Sequence, residues 1–258
     1  MQQRIEKIRD ALGLGFSDYF ESENVRETTL LDRLDDVERA VEMMLVEEFI
    51  IHSLLRAFGH KHPSVHIYAV DFPSDLRASF YLLLGGYYRQ AILCLRNWLE
   101  MRLVGIYFGL VEQDPSKYQD WILGKTGKEE RLFGTGLIAK VFARAEFHKA
   151  DNRVGLRVHL EQLYSDLSVF THGVALVKHD LQRDTDNVPG YNATSVDSWF
   201  SLLDRTFAEV VFCEFVAYGL DIFSGMTRHE AKTILDHMPT DYEQELRSAM
   251  GGLGPLSP

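Results

Sequence analysis

An all-α fold follows from three features of the 258-residue chain. Apolar residues recur at a 3.6-residue spacing over long stretches, as in Leu30, Leu34, Val37, Val41, Met44, Leu45 and Phe49. The breaks between these stretches carry helix stop and start signals: Gly59, then Pro73-Ser74-Asp75, then Asp114-Pro115-Ser116. Strand-type runs are nearly absent, the short Val65–Val70 run excepted. Long helices with short connections predict an antiparallel helical bundle of four to five long helices with a short C-terminal helical appendage.

Element by element, a short amphipathic helix is expected over 2–12, ended by Gly13 and Gly15. The acidic stretch 16–28 reads as a loop. A long helix is expected from Thr29 to Phe58, capped by Thr28 or Thr29 and stopped by Gly59. Residues 60–72 read as a connector, extended near 65–70. The stretch Tyr81–Leu110, apolar on nearly every face, predicts a buried central helix opened by Ser74 or Asp75. Its Gly85-Gly86 pair costs about 1 kcal/mol per glycine and marks close packing or a kink. Short helices over 116–123 and 137–149 bracket the glycine-rich segment 124–136. Asn152 opens a long helix to about Leu181; a polar loop over 183–194 and a third long apolar helix over 196–224 follow. Residues 1–225 therefore form the bundle, and 226–258 an appendage of helices 227–236 and 239–250 with a disordered glycine-proline tail.

A net charge of −11 argues against broad nonspecific duplex binding, which needs an excess of Lys and Arg; a local basic pocket stays open. Cys94 and Cys213 both lie in apolar helical contexts, so no disulfide framework is expected and a reducing compartment fits. The opening MQQRIEKIRD has no apolar run of signal-peptide type. The 81–110 stretch is long enough to span a bilayer, but Arg89, Arg96, Glu100 and Arg102 make that costly. A cytoplasmic protein without a membrane partner is expected.

Four candidate sites emerge. Arg89, Arg96 and Glu100 share a helical stripe, with Asn97 one position aside. Such a notch can hold a phosphate or carboxylate; an internal Arg96–Glu100 pair one turn apart is the structural alternative. Tyr164, Ser168 and His172 recur every four residues on a second helix. That stripe can fix a histidine for acid–base work, and a core histidine hydrogen-bonded across a helix pair is its alternative. His60, His62 and His66 have a spacing that zinc can use, but no carboxylate or cysteine joins them, and no metal is assigned. Gly124-Lys125-Thr126-Gly127-Lys128 fails the phosphate-loop pattern because Glu129 follows the lysine; it reads as a solvated loop. No cofactor motif is present, and none is expected.

YYRQAILCLRNWLE together with YSDLSVFTHG resembles HEPN proteins, the all-helical family of prokaryotic defence and toxin systems that includes many metal-independent ribonucleases. Arg96-Asn97 matches the Arg-polar start of the family's motif, and His172-Gly173 its histidine end. Met101, Arg102 and Leu103 stand where the motif's histidine would follow Arg96. The resemblance covers about residues 75–225 and implies either a site assembled from two helices or a fold that has lost cleavage. In the first case His172 handles the ribose 2′-hydroxyl or leaving-oxygen proton and Arg96 the phosphorane charge. Arg89 and Asn97 then position the phosphate, and Glu100 orients Arg96. The resemblance also implies RNA or a nucleotide as ligand and a homodimer or a defence-system partner protein. A non-catalytic helical interaction module is the rival reading.

Overall fold

The computed structural model describes residues 16–68, 73–125, 132–170, 190–223 and 225–250. Within them the chain is all-α: twelve α-helices and no strand. They are α1 (Phe16–Asp32), α2 (Leu34–Phe58), α3 (Pro63–His66), α4 (Pro73–Leu84), α5 (Tyr88–Ile106) and α6 (Pro115–Ile122). Then come α7 (Gly134–Val141), α8 (Ala145–Val154), α9 (Leu156–Val169), α10 (Ala193–Tyr218), α11 (Arg228–Asp236) and α12 (Thr240–Met250). A π-helical segment, Tyr107–Glu112, extends α5, and a 3₁₀ turn, Gly219–Phe223, extends α10.

The second half of α5 is mostly apolar, and every residue from Trp98 to Ile106 is buried, Glu100 and Arg102 among them. Burying each large aliphatic or aromatic side chain contributes about 1.5–3 kcal/mol, so this helix is the natural centre. It packs most extensively against α4 and α10, and also against α7 and α9. Asn192 caps α10 by accepting from the Ser195 amide at 2.8 Å. The burial of Trp199, Phe207, Val211 and Phe212 then seats α10 in the core. No helix among the described residues is long and apolar enough to cross a membrane.

Several expectations are corrected. The central helix is not continuous from 81 to 110. At Gly85-Gly86 the chain turns, with Gly86 at φ 80°. Ser79 Oγ donates to the Ala91 carbonyl (2.6 Å), and Asn97 donates to Asp75. One partner's number rises as the other's falls, so α4 and α5 form an antiparallel hairpin. The acidic stretch 16–28 is helical rather than a loop: Glu and Arg are good helix formers, and Val25 is buried. Thr29 caps nothing; its hydroxyl bonds back to the Val25 carbonyl (2.8 Å) inside α1. The break comes at Arg33, φ −134°. Residues 63–66 form a helical turn where an extended run was expected. The 137–149 helix divides into α7 and α8, and α9 starts at Leu156 after Gly155 rather than at Asn152. The third long helix ends at Tyr218 and tightens into the 3₁₀ turn. The expected helix over 2–12, the 171–181 end of the Asn152 helix, most of the 183–194 loop and the C-terminal tail lie outside the described residues.

The helices of the C-terminal segment join the main core. Thr227 and Glu230 form a capping box that opens α11, and Ile234, Leu235, Tyr242 and Leu246 belong to the same buried cluster as α5 and α10.

Candidate functional site

Of the expected site residues, Arg96 and Glu100 of α5 meet Tyr164 of α9. Arg96 Nη2 lies 3.2 Å from Glu100 Oε1, one turn along α5. The same Nη2 donates to the Tyr164 hydroxyl of α9, and that hydroxyl donates to Glu100 Oε1 at 2.8 Å. The guanidinium also lies 4.8 Å from the centre of the Tyr164 ring, a cation–π contact. Arg96, Glu100 and Tyr164 thus close a three-membered ring of contacts between two helices. The Arg96 and Glu100 side chains are 18% and 10% exposed, so the ring is shielded but reachable at one edge. Burial raises the Tyr164 phenol above its ordinary pKa, and the Glu100 carboxylate raises it further.

Two further features adjoin the ring. Ser168 donates to the Tyr164 carbonyl at 2.6 Å, one turn back on α9. Helix α7 opens at Gly134, φ 64°, and no side chain among the described residues caps it. A Cβ on Gly134 would lie 3.1 Å from the Tyr164 hydroxyl. Glycine therefore lets the positive end of α7 approach the ring.

The other expected residues go elsewhere. Asn97 turns to α4, where Asp75 accepts its amide proton; adjacent residues on a helix point about 100° apart, so Arg96 and Asn97 serve different helix pairs. Arg89 Nε donates to the Phe170 carbonyl at 3.0 Å, at the end of α9. The neighbouring Tyr88 hydroxyl donates to the Gly190 carbonyl (2.9 Å) and accepts from the Asn192 amide (3.0 Å). The first turn of α5 thus bonds to Phe170 and to Gly190, the described residues on either side of 171–189. His172 lies in that segment, outside the described residues.

Sequence reasoning missed a second, deeper centre. Arg102, 2% exposed, pairs with Glu214 of α10 (3.0 Å) and with Glu47 of α2. Trp98 Nε1 donates to Glu47 at 2.6 Å, and the guanidinium lies 4.1 Å from the Tyr68 ring centre. Burial raises both carboxyls, Glu214 to about 7, while the two carboxylates hold Arg102 firmly charged. The three histidines singled out in sequence line one cavity. Among the described residues no group of three His, Cys, Asp or Glu is placed to hold a metal ion. Cys213 is buried and Cys94 partly so, and both are free thiols.

No protein-family model, no curated protein and no solved structure matches this chain.

Proposed function

We propose that the chain is a HEPN-like helical protein of prokaryotic defence type that acts, without a metal, on RNA or a nucleotide phosphate at the α5–α9 groove. The observation that carries this reading is the direct contact of Arg96 with Tyr164. It brings Arg96 against α9, the helix that ends three residues before His172 in the chain. Three features support an anion there: the Arg96 guanidinium held in place by Glu100, the start of α7, uncapped among the described residues, and Arg89 at the end of α9. In this mechanism His172 takes the proton of a ribose 2′-hydroxyl, whose oxygen attacks the phosphorus. Arg96 opposes the charge that builds on the phosphoryl oxygens. The leaving 5′-oxygen departs with a proton returned by the imidazolium.

The test is degradation of RNA in the presence of a chelator, comparing the parent chain with His172→Ala. General acid–base transfer is worth about 10²–10⁴ in rate, so the variant should lose cleavage almost completely while its melting temperature holds. Cleavage that survives in His172→Ala would sink the mechanism.

One observation favours the rival, a non-catalytic module that assembles with itself or with a partner protein. Arg96, Glu100 and Tyr164 already satisfy one another. In that case neither protein cleaves RNA, and Tyr164→Phe lowers stability alone. A homodimer belongs to both readings. Leu34, Val41 and Leu45 support it, being more than 40% exposed along one stripe of α2. Under this reading Val41→Glu with Leu45→Glu gives a monomer in light scattering; an unchanged mass in the variant would exclude this stripe as the dimer face.

A further inference from the structure

A cavity of about 570 Å³ opens where the α2–α3 connection meets the π-helical segment and α6. Its size falls within the roughly 300–1,000 Å³ of small-molecule sites. His60, Lys61, His62 and His66 line one side, and Phe108 and Tyr118 contribute aromatic surface. Among the described residues no Asp or Glu lines it, although acidic residues outnumber Lys and Arg 38 to 27 in the chain. The two carboxylates that bracket Gln113 in sequence are engaged elsewhere. Glu112 takes Lys117 and the Tyr107 hydroxyl, both at 3.1 Å. Asp114 takes the Ser116 amide at 2.9 Å and its hydroxyl at 2.8 Å.

The backbone is unusual at the same place. Tyr107–Glu112 is wound as a π-helix and ends at Gln113, φ 56°, the one non-glycine residue with positive φ among the described residues. Such windings and left-handed residues cost of order 1–3 kcal/mol and gather at functional sites. Gly109 belongs to this winding, and a Cβ on it would sit 2.6 Å from His62 Cε1 and 2.4 Å from Ser64 Oγ. Glycine there makes the room that His62 occupies, stacked on Phe58 at 4.9 Å. His62 Nδ1 is buried and has no hydrogen-bond partner. A buried polar atom left alone costs about 1–3 kcal/mol.

We propose that this cavity binds a small organic anion, a phosphate or carboxylate group on an aromatic or apolar body. Lys61 and His62 receive the head group, and Phe108 and Tyr118 hold the body. Burial lowers the His62 pKa, and its hydrogen bond to the Gly109 backbone acts the other way; an anion beside the unpartnered Nδ1 supplies an acceptor of matching charge and favours the protonated ring. A metal is the poorer occupant, because His66 Nδ1 is already 2.6 Å from the Tyr118 hydroxyl. A bare inorganic anion leaves the Phe108 and Ile122 side of the cavity unfilled. The site is separate from the α5–α9 groove and stands or falls without it.

Calorimetric titration of the full chain with phenyl phosphate, phenylacetate and inorganic phosphate tests the assignment, with ¹⁵N-histidine spectra reporting on His62. One of the two aromatic anions should bind at least roughly tenfold tighter than inorganic phosphate and should move the His62 Nδ1 resonance. Lys61→Ala, an exposed change, should weaken that binding about tenfold without altering the melting temperature; His62→Gln should do the same if it folds. The proposal is overturned if neither aromatic anion moves His62, if inorganic phosphate binds as tightly as both, or if Lys61→Ala binds like the parent.

Discussion

Arg102 has to be judged together with its two carboxylates. Removing the cation alone leaves Glu47 and Glu214 buried at 3% and 1% exposure with no positive charge between them. Arg102→Met should therefore cost about 3–5 kcal/mol in urea unfolding. Replacing the whole triad with Met and two Leu should cost far less, because well-packed apolar groups often match a buried ion cluster. A triple variant as unstable as the single one would show that the charges contribute more than their desolvation costs. At this scale the legibility of the sequence follows chain separation. Arg96 and Glu100 are one turn apart, so their pairing can be read from spacing. Arg102 meets Glu47 and Glu214 across 55 and 112 residues, and no periodicity encodes such a meeting. Tyr164 was visible as a member of a helical stripe, but the Arg96 that it contacts lies 68 residues away.

Among elements, the glycines separate positions that need their geometry from positions that merely tolerate it. Gly86 holds φ 80° in the turn between α4 and α5, a conformation that costs an L-residue roughly 1–2 kcal/mol. Gly86→Ala should lose about that much. Gly136 lies inside α7 with nothing within 4 Å of a Cβ, so Gly136→Ala should gain up to about 1 kcal/mol from helix propensity. Chemical denaturation of both variants checks the pair, and opposite signs are the expected result. The glycine pair was legible as a special point, but a kink and a hairpin share one local signature. What distinguishes them is Ser79 bonding to Ala91 and Asn97 to Asp75, which are tertiary contacts. The acidic stretch 16–28 misled in the opposite way. Its charges suggested a loop, while its Glu, Arg and buried Val25 suit a half-solvated helix.

Across the whole molecule, α10 carries two carboxyls that couple distant helices to pH. Glu214 links α10 to α5 through Arg102. Glu209 links it to α12, accepting from the Tyr242 hydroxyl at 2.9 Å. The all-α class and the long apolar helices were legible from periodicity, but which faces meet was not, so neither link could be foreseen. Burial raises Glu209 to about 7, although the Tyr242 hydroxyl and Arg205 pull it back down. The folded chain therefore holds this proton more tightly than the unfolded chain, whose carboxyl titrates near 4.5. The resulting stabilisation is complete below pH 4.5 and is lost as pH rises to about 7, beyond which it stays flat. His62 and His237, both lowered by burial, act with the opposite sign, so the raw stability curve mixes the two. Subtracting the curve of Glu209→Gln isolates the carboxyl together with its contact to His159, whose Nδ1 lies 3.9 Å away, because Gln carries no proton to lose and His62 and His237 remain in both proteins. Unfolding free energies measured from pH 4 to 8 should show the parent losing ground to the variant up to about pH 7 and holding level above it. A difference that is flat, or that grows in the parent's favour with pH, would mean that Glu209 is ionised in the folded chain, and that Tyr242 and Arg205 outweigh its burial.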